Sequence, residues 1–135
     1  MATFADIVLN DGQATPVAKT YKVKLNDMQA TVWEERSSGI PIGYAIVRVQ
    51  TKDTPTVRKI SLSVAVPTLE AVAGANPSGF TPAPKVAYVH RFNGEFIMPL
   101  RGSTQERKNV KAFAANLLSN ATLTAVIVDG EEITG

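Results

Sequence analysis

The cleanest alternation of apolar and polar positions runs through "VRKISLSVAVP" at 57–67. Ile60, Leu62, Val64 and Val66 fall on one side, and Lys59, Ser61, Ser63 and Ala65 on the other. A period of two over this length predicts a β-strand with one apolar face. The other face carries short side chains where a solvated strand usually carries long charged ones. The same period recurs upstream in "FADIVLNDGQ", in "KTYKVKLND" (Tyr21, Val23 and Leu25 against Lys22 and Lys24), in "ATVWEERS" around Trp33, and in "GYAIVRVQTK" at 43–52. The first two form a candidate N-terminal hairpin with Asn10-Asp11-Gly12 as its turn, because Asp-Gly tolerates positive φ. Pro55 in "KDTPT" fits a turn and would spoil a central strand.

Residues 67–84, "PTLEAVAGANPSGFTPAP", hold four prolines and two glycines and show no period. They predict a long loop, and loops of that length in compact domains are usually functional or disordered. Alternation returns in "KVAYVHRFNGEFIMP" at 85–99. Tyr88, His90, Phe92, Gly94, Phe96 and Met98 share one side; Ala87, Val89, Arg91, Asn93, Glu95 and Ile97 share the other. Gly94 inside the run suggests a bulge or a close backbone approach. The period then changes. Ser103-Thr104-Gln105-Glu106 reads as a capping box, and Val110, Phe113, Ala114, Leu117 and Leu118 follow at helical spacing. "ATLTAVIVDG" is ambiguous between helix and strand, with Asn120 available as a cap.

These elements predict an α+β fold: an N-terminal β-hairpin (1–27), a five-stranded antiparallel sheet (30–100) interrupted by the 68–84 loop, and two C-terminal helices (103–129), all in a single domain, 1–135. A helix of about 16 residues is roughly 24 Å long, about the width of five strands, but it covers a strip only about 10 Å broad. Strands of about ten residues are roughly 33 Å long. One chain's helices therefore leave apolar sheet uncovered, and an obligate homodimer is the simplest remedy. With the helices on one face, the other stays open, and that is where Lys59, Ser61 and Ser63 point.

Composition narrows the function. Hydrophobic content of 44% and charge of 19% are ordinary for a globular protein, and there is no cysteine, so neither disulfides nor thiolate metal sites can form. No apolar run approaches the roughly 20 residues needed to span a bilayer. Met1-Ala2-Thr3-Phe4 lacks the basic and apolar regions of a signal peptide. The expectation is an intracellular soluble protein with no membrane partner. The net charge of +2 is uneven: Arg36 to Arg101 holds eight basic and three acidic residues, whereas Ala112 to Gly135 holds no basic and three acidic ones. That asymmetry favours a polyanion on the first region.

Converging catalytic groups are missing. The single histidine, His90, reads as a buried or half-buried strand residue. Glu34-Glu35 and Glu131-Glu132 read as solvated charge, and Ser61 and Ser63 lack a base. No phosphate loop or dinucleotide fingerprint is present. The expectation is a protein that is not an enzyme and takes no metal or cofactor. A face mixing Arg and Lys with Ser, Asn and Gln instead offers charge for phosphate and hydrogen-bonding groups for unpaired bases.

In sequence order, "FADIVLNDG", "VWEERS", "GYAIVRVQ", "VRKISLSVAVP", "NGEFIMP" and "ERKNVKAFAANLLSNATLTAVIV" resemble the coat protein of small single-stranded RNA bacteriophages, the levivirus type, across essentially the whole chain. The resemblance implies interlocked dimers that build an icosahedral shell, assembled in the host cytoplasm, with sheets lining the inside and helices outside. The loop at 68–84 would cluster at the symmetry axes. The inner sheet face would bind genomic RNA, including a stem-loop whose occupancy represses replicase translation, and a maturation protein is a further implied partner in the virion. Carried over by position, the implied RNA-binding residues are Arg48, Gln50, Lys59, Ser61, Ser63, Arg91, Asn93 and Glu95. Arg91 stands where the family often has a base-stacking tyrosine, and Ala65 where it has a polar residue. On this reading the short residues at 61, 63 and 65 keep the inner surface smooth. A dimeric RNA-binding regulator that forms no shell and an unrelated α+β binding module remain as alternatives; the proline-rich loop favours the shell, since a free regulator has little use for it.

Overall fold

A computed structural model describes residues 5–27, 30–70 and 83–134. The chain divides into two compact units, Met1–Ile97 and Met98–Gly135. The first holds the strands β1 (Ile7–Asn10), β2 (Ala18–Asn26), β3 (Ala30–Glu35), β4 (Ala45–Asp53), β5 (Val57–Leu69) and β6 (Val86–Pro99). They form one six-stranded sheet in sequence order, so the N-terminal hairpin extends the sheet, giving six strands where five were expected. The pairs from β1 to β5 are antiparallel.

Between β4 and β5 the chain turns through Pro55. Thr54 N–H donates to Val57 O at 2.9 Å, and Val57 N–H donates back to the Thr54 hydroxyl at 3.1 Å. The register then pairs Val47 with Val64, Val49 with Leu62 and Thr51 with Ile60 on one face. Trp33 and Val23 continue the Val47 row across β3 and β2. On this face Tyr21, Ala45 and Val47 are buried, with Ile7, Trp33 and Val64 packed against them. Burial and the Glu35 charge both push the Tyr21 phenol above its ordinary pKa. The indole of Trp33 donates to Ala5 O at 2.9 Å, which ties the segment before β1 to β3.

Three expectations change in this unit. Leu25 does not share a face with Tyr21 and Val23: the ladder shifts between Val23 and Leu25, so that Val23 opposes Trp33 while Leu25 opposes Val32. Lys24 is the extra residue of a β-bulge, and one extra residue moves everything beyond it to the opposite face. The turn after β1 does not use positive φ at Gly12, since the only positive-φ glycines described are Gly39 and Gly130. The Asp11 carboxylate closes it instead, accepting from the amides of Val17 (2.9 Å) and Gln13 (3.3 Å). The Val17 bond in particular holds the Asp11 carboxyl below the ordinary carboxylate range. The third change lies in β5, which runs through Pro67 to Leu69 and so delays the loop. The ladder with β4 ends at Ala65, so the missing proline N–H costs no bond there. Glu70 N–H donates to Lys85 O at 2.8 Å, joining the two ends of the loop; residues 71–82, most of the predicted loop, lie outside the described residues.

In the second unit, α1 (Thr104–Ser119) starts at Ser103, whose hydroxyl accepts from Glu106 N–H at 3.2 Å. The Glu106 carboxylate accepts in turn from the Ser103 hydroxyl (3.2 Å), a variation on the reciprocal capping box. The ambiguous run is helical: α2 (Ala121–Thr124) continues as a π-helical turn, Ala125–Asp129, bent by 54° from α1. Asn120 caps it, accepting from Thr122 N–H at 2.9 Å, and Gly130 ends it at φ 68.

Candidate nucleic-acid interface

The face of β4 and β5 opposite the core is fixed by the same register. Arg48 lies across from Ser63, Gln50 from Ser61, Lys52 from Lys59 and Ile46 from Ala65. With a side-chain period of two, Val47 and Val49 on the core face oblige Arg48, Gln50 and Lys52 to share the other. Ile46 shares it as well, half-buried across from Glu34 on β3. β6 adds Asn93 and Glu95. Arg48, Gln50, Ser61, Ser63, Asn93 and Glu95 line one open concavity of about 490 Å³, with Leu62 and Gly94 completing its wall.

Six of the eight predicted residues are thus brought together, and two are not. Lys59 lies two pairings beyond Gln50 and Ser61, outside the concavity but on the same face. Arg91 is exposed on β6 and does not line the concavity. The group nearest Gly94 is a side chain two residues away, not the backbone that its place in the strand suggested. A Cβ there would stand 3.1 Å from the Phe92 ring.

Lys52 is the residue that sequence reasoning missed. Its signal was present, since it continues the 48, 50 alternation, but the cross-strand partner that gives it meaning appears only with the register. Like charges directly opposite each other on a sheet are unfavourable. Among the described residues neither Lys52 nor Lys59 forms an ion pair, nor does Arg48. Arg58 by contrast is paired with Asp53 at 3.3 Å, on the other face by the turn. The unpaired cations and the small hydroxyls together form a surface that can take phosphate at one end and hydrogen-bond bases at the other.

His90 was expected to be buried or half-buried. It is exposed on β6, its ring edge-on to Tyr88 at 5.4 Å between centroids. Glu34 is not solvated charge either: it is 8% exposed and bonded to Arg36. Glu35 accepts from the Ser37 amide and hydroxyl, both at 2.8 Å. Among the described residues no cluster of three or more His, Cys, Asp and Glu side chains could hold a metal ion.

A family model described as levivirus coat protein matches residues 2–133. The chain belongs to the levivirus coat protein family. It is therefore a structural capsid protein and not an enzyme, its place is the virion, and it assembles with itself into a shell. This levivirus coat protein is similar to the chain of the virus-like particle of bacteriophage ESE058, at 30% identity and a TM-score of 0.88, covering 98% of this chain and 100% of that one. The virus-like particle of bacteriophage NT-214 gives 28% identity and a TM-score of 0.85, with 98% and 100% covered. The bacteriophage GA protein capsid shares the fold at 17% identity and a TM-score of 0.79, with 98% of each chain covered. No curated protein sequence matches the chain. A coat protein's shell role supersedes the regulator without a shell and the unrelated binding module as readings of this chain.

Proposed function

We propose that this coat protein works as a homodimer, each copy a single domain over 1–135, and that the polar sheet face built from β4, β5 and β6 binds the genomic RNA inside the shell. The observation that carries the RNA reading is the pairing of Arg48 with Ser63, Gln50 with Ser61 and Lys52 with Lys59 on one face, beside Asn93 and Glu95. The cations neutralise phosphate, while the hydroxyl, amide and carboxylate groups meet the edges of unpaired bases. A stem-loop held there at the replicase start would block translation and mark the genome for packaging, and a maturation protein would be a further partner in the virion. Support for the dimer comes from apolar side chains left uncovered: Phe113 and Leu117 on α1 are 70% and 58% exposed, and β6 is the terminal strand of the sheet.

Lys52→Ala with Lys59→Ala tests the RNA face. Every phosphate that the protein no longer neutralises lowers the slope of log binding against log salt by about 0.7 for single strands, so the pair should lower it by about 1.4. Particles of the variant should protect less RNA from nuclease at unchanged shell yield. Equal protected RNA and an equal slope would remove this face from the binding site.

A further inference from the structure

Glu34 is the buried charged residue among those described. Its carboxylate accepts from Arg36 Nε at 2.7 Å and lies 3.6 Å from Lys24 Nζ. It stands opposite Lys22 on β2 and Ile46 on β4, so it belongs to the polar face of the sheet. Val32, two residues before it, opposes Arg48. Two residues along a strand are about 7 Å, which puts this three-charge cluster one step from the row holding Arg48 and Ser63. The cations themselves are not buried: the Lys24 and Arg36 side chains are 55% and 46% exposed. Lys24 is also the bulge residue of β2.

We infer that Glu34 is a specificity residue that weakens the nucleic-acid track beyond β4, by engaging Lys24 and Arg36 so that its carboxylate cancels one of their two charges. This rests on the RNA reading of the face proposed above. Without the carboxylate's charge, Lys24 and Arg36 would both join Lys22, which faces Glu34 from β2 and forms no ion pair among the described residues, in extending the cationic surface of Arg48, Lys52 and Lys59. The bound strand would then meet extra cations that carry no sequence information, because phosphate neutralisation adds affinity uniformly. A purely structural role, stitching β2 to β3, would change stability and leave the salt dependence of RNA binding where it was.

The test measures binding of the full-length protein to poly(U) over a range of salt. Glu34→Gln keeps the shape and an acceptor for Arg36 but removes the charge. It should steepen the slope of log binding against log salt by about 0.7, because losing one negative charge leaves the cluster one more phosphate to neutralise. Over a fourfold rise in salt that is about a 2.6-fold greater loss of affinity than the parent shows. Adding Lys24→Gln to Glu34→Gln should return the slope to the parent's, because the cluster then again carries one net positive charge. A Glu34→Gln slope equal to the parent's, or a double-variant slope still steeper than the parent's by about 0.7, overturns the inference. If Glu34→Gln does not fold, Lys24→Gln alone decides: it makes the cluster neutral and should lower the slope by about 0.7, and an unchanged slope overturns the inference. A parent that shows no salt-dependent binding to poly(U) overturns the RNA reading itself, and this inference with it, before either variant is needed.

Discussion

The β4–β5 hairpin and helix α1 are both specified by short-range sequence, and they differ in where their apolar side chains go. The hairpin has a turn closed by Thr54 and a ladder running from Ile46–Ala65 to Asp53–Arg58, and Val47 is buried within the same unit. Helix α1 has an equally definite start at Ser103, yet none of its residues is buried, and Val110, Phe113, Leu117 and Leu118 stay exposed. Capping fixes where a helix begins; it does not supply the apolar packing that stabilises most protein helices. One element is therefore completed within the chain, and the other carries an apolar stripe that matches the self-association of a shell protein.

Substitutions can break or sharpen that contrast. Phe113→Asp should have the largest effect: a charge placed where a second copy is to be met should abolish dimers and shells, as seen by sedimentation and electron microscopy, while the strand signal in circular dichroism persists. Normal particles from this variant would show that α1 does not join one copy to another. Val47→Ala acts inside the completed element. It should destabilise the fold by about 2 kcal/mol in urea unfolding, from reduced burial and the cavity left behind. Ser103→Ala should cost about 1 kcal/mol, confined to the start of α1 and visible as faster amide exchange at Glu106. An unchanged exchange rate there would mean that interactions other than the cap set the start of α1.

Legibility followed the physics of each element. Strands with a strict period of two and the helix after Ser103 were readable because a single segment contains all of that information. The facing of Leu25 was not, since a bulge is a property of two paired strands, and "KTYKVKLND" alone alternates without a break. Gly12 suggested a left-handed turn, whereas the Asp11 side chain closes the loop by accepting two backbone amides. The β-branched run Val126–Val128 adopts a π-helical turn, which intrinsic preference alone does not favour over a strand. At the candidate site the residue types were readable and their grouping was not. Lys52 and Lys59 lie seven positions apart in sequence, and only the β4–β5 register sets them face to face. Glu34 reads in sequence as one of two adjacent surface acids; its burial and its partners, Lys24 on β2 and Arg36 just beyond β3, appear only in the structure.

Lys24 makes β2 a ribbon with an odd count, and parity is then a property that a single codon can reverse. Deleting that codon would return Leu25 and Asn26 to opposite sides from those they now occupy, with no change to any other letter of the sequence. Substitutions at 25 and 26 should therefore be judged by the sides that this count dictates, and an alignment that opens a one-residue gap nearby would assign every neighbouring position to the wrong surface.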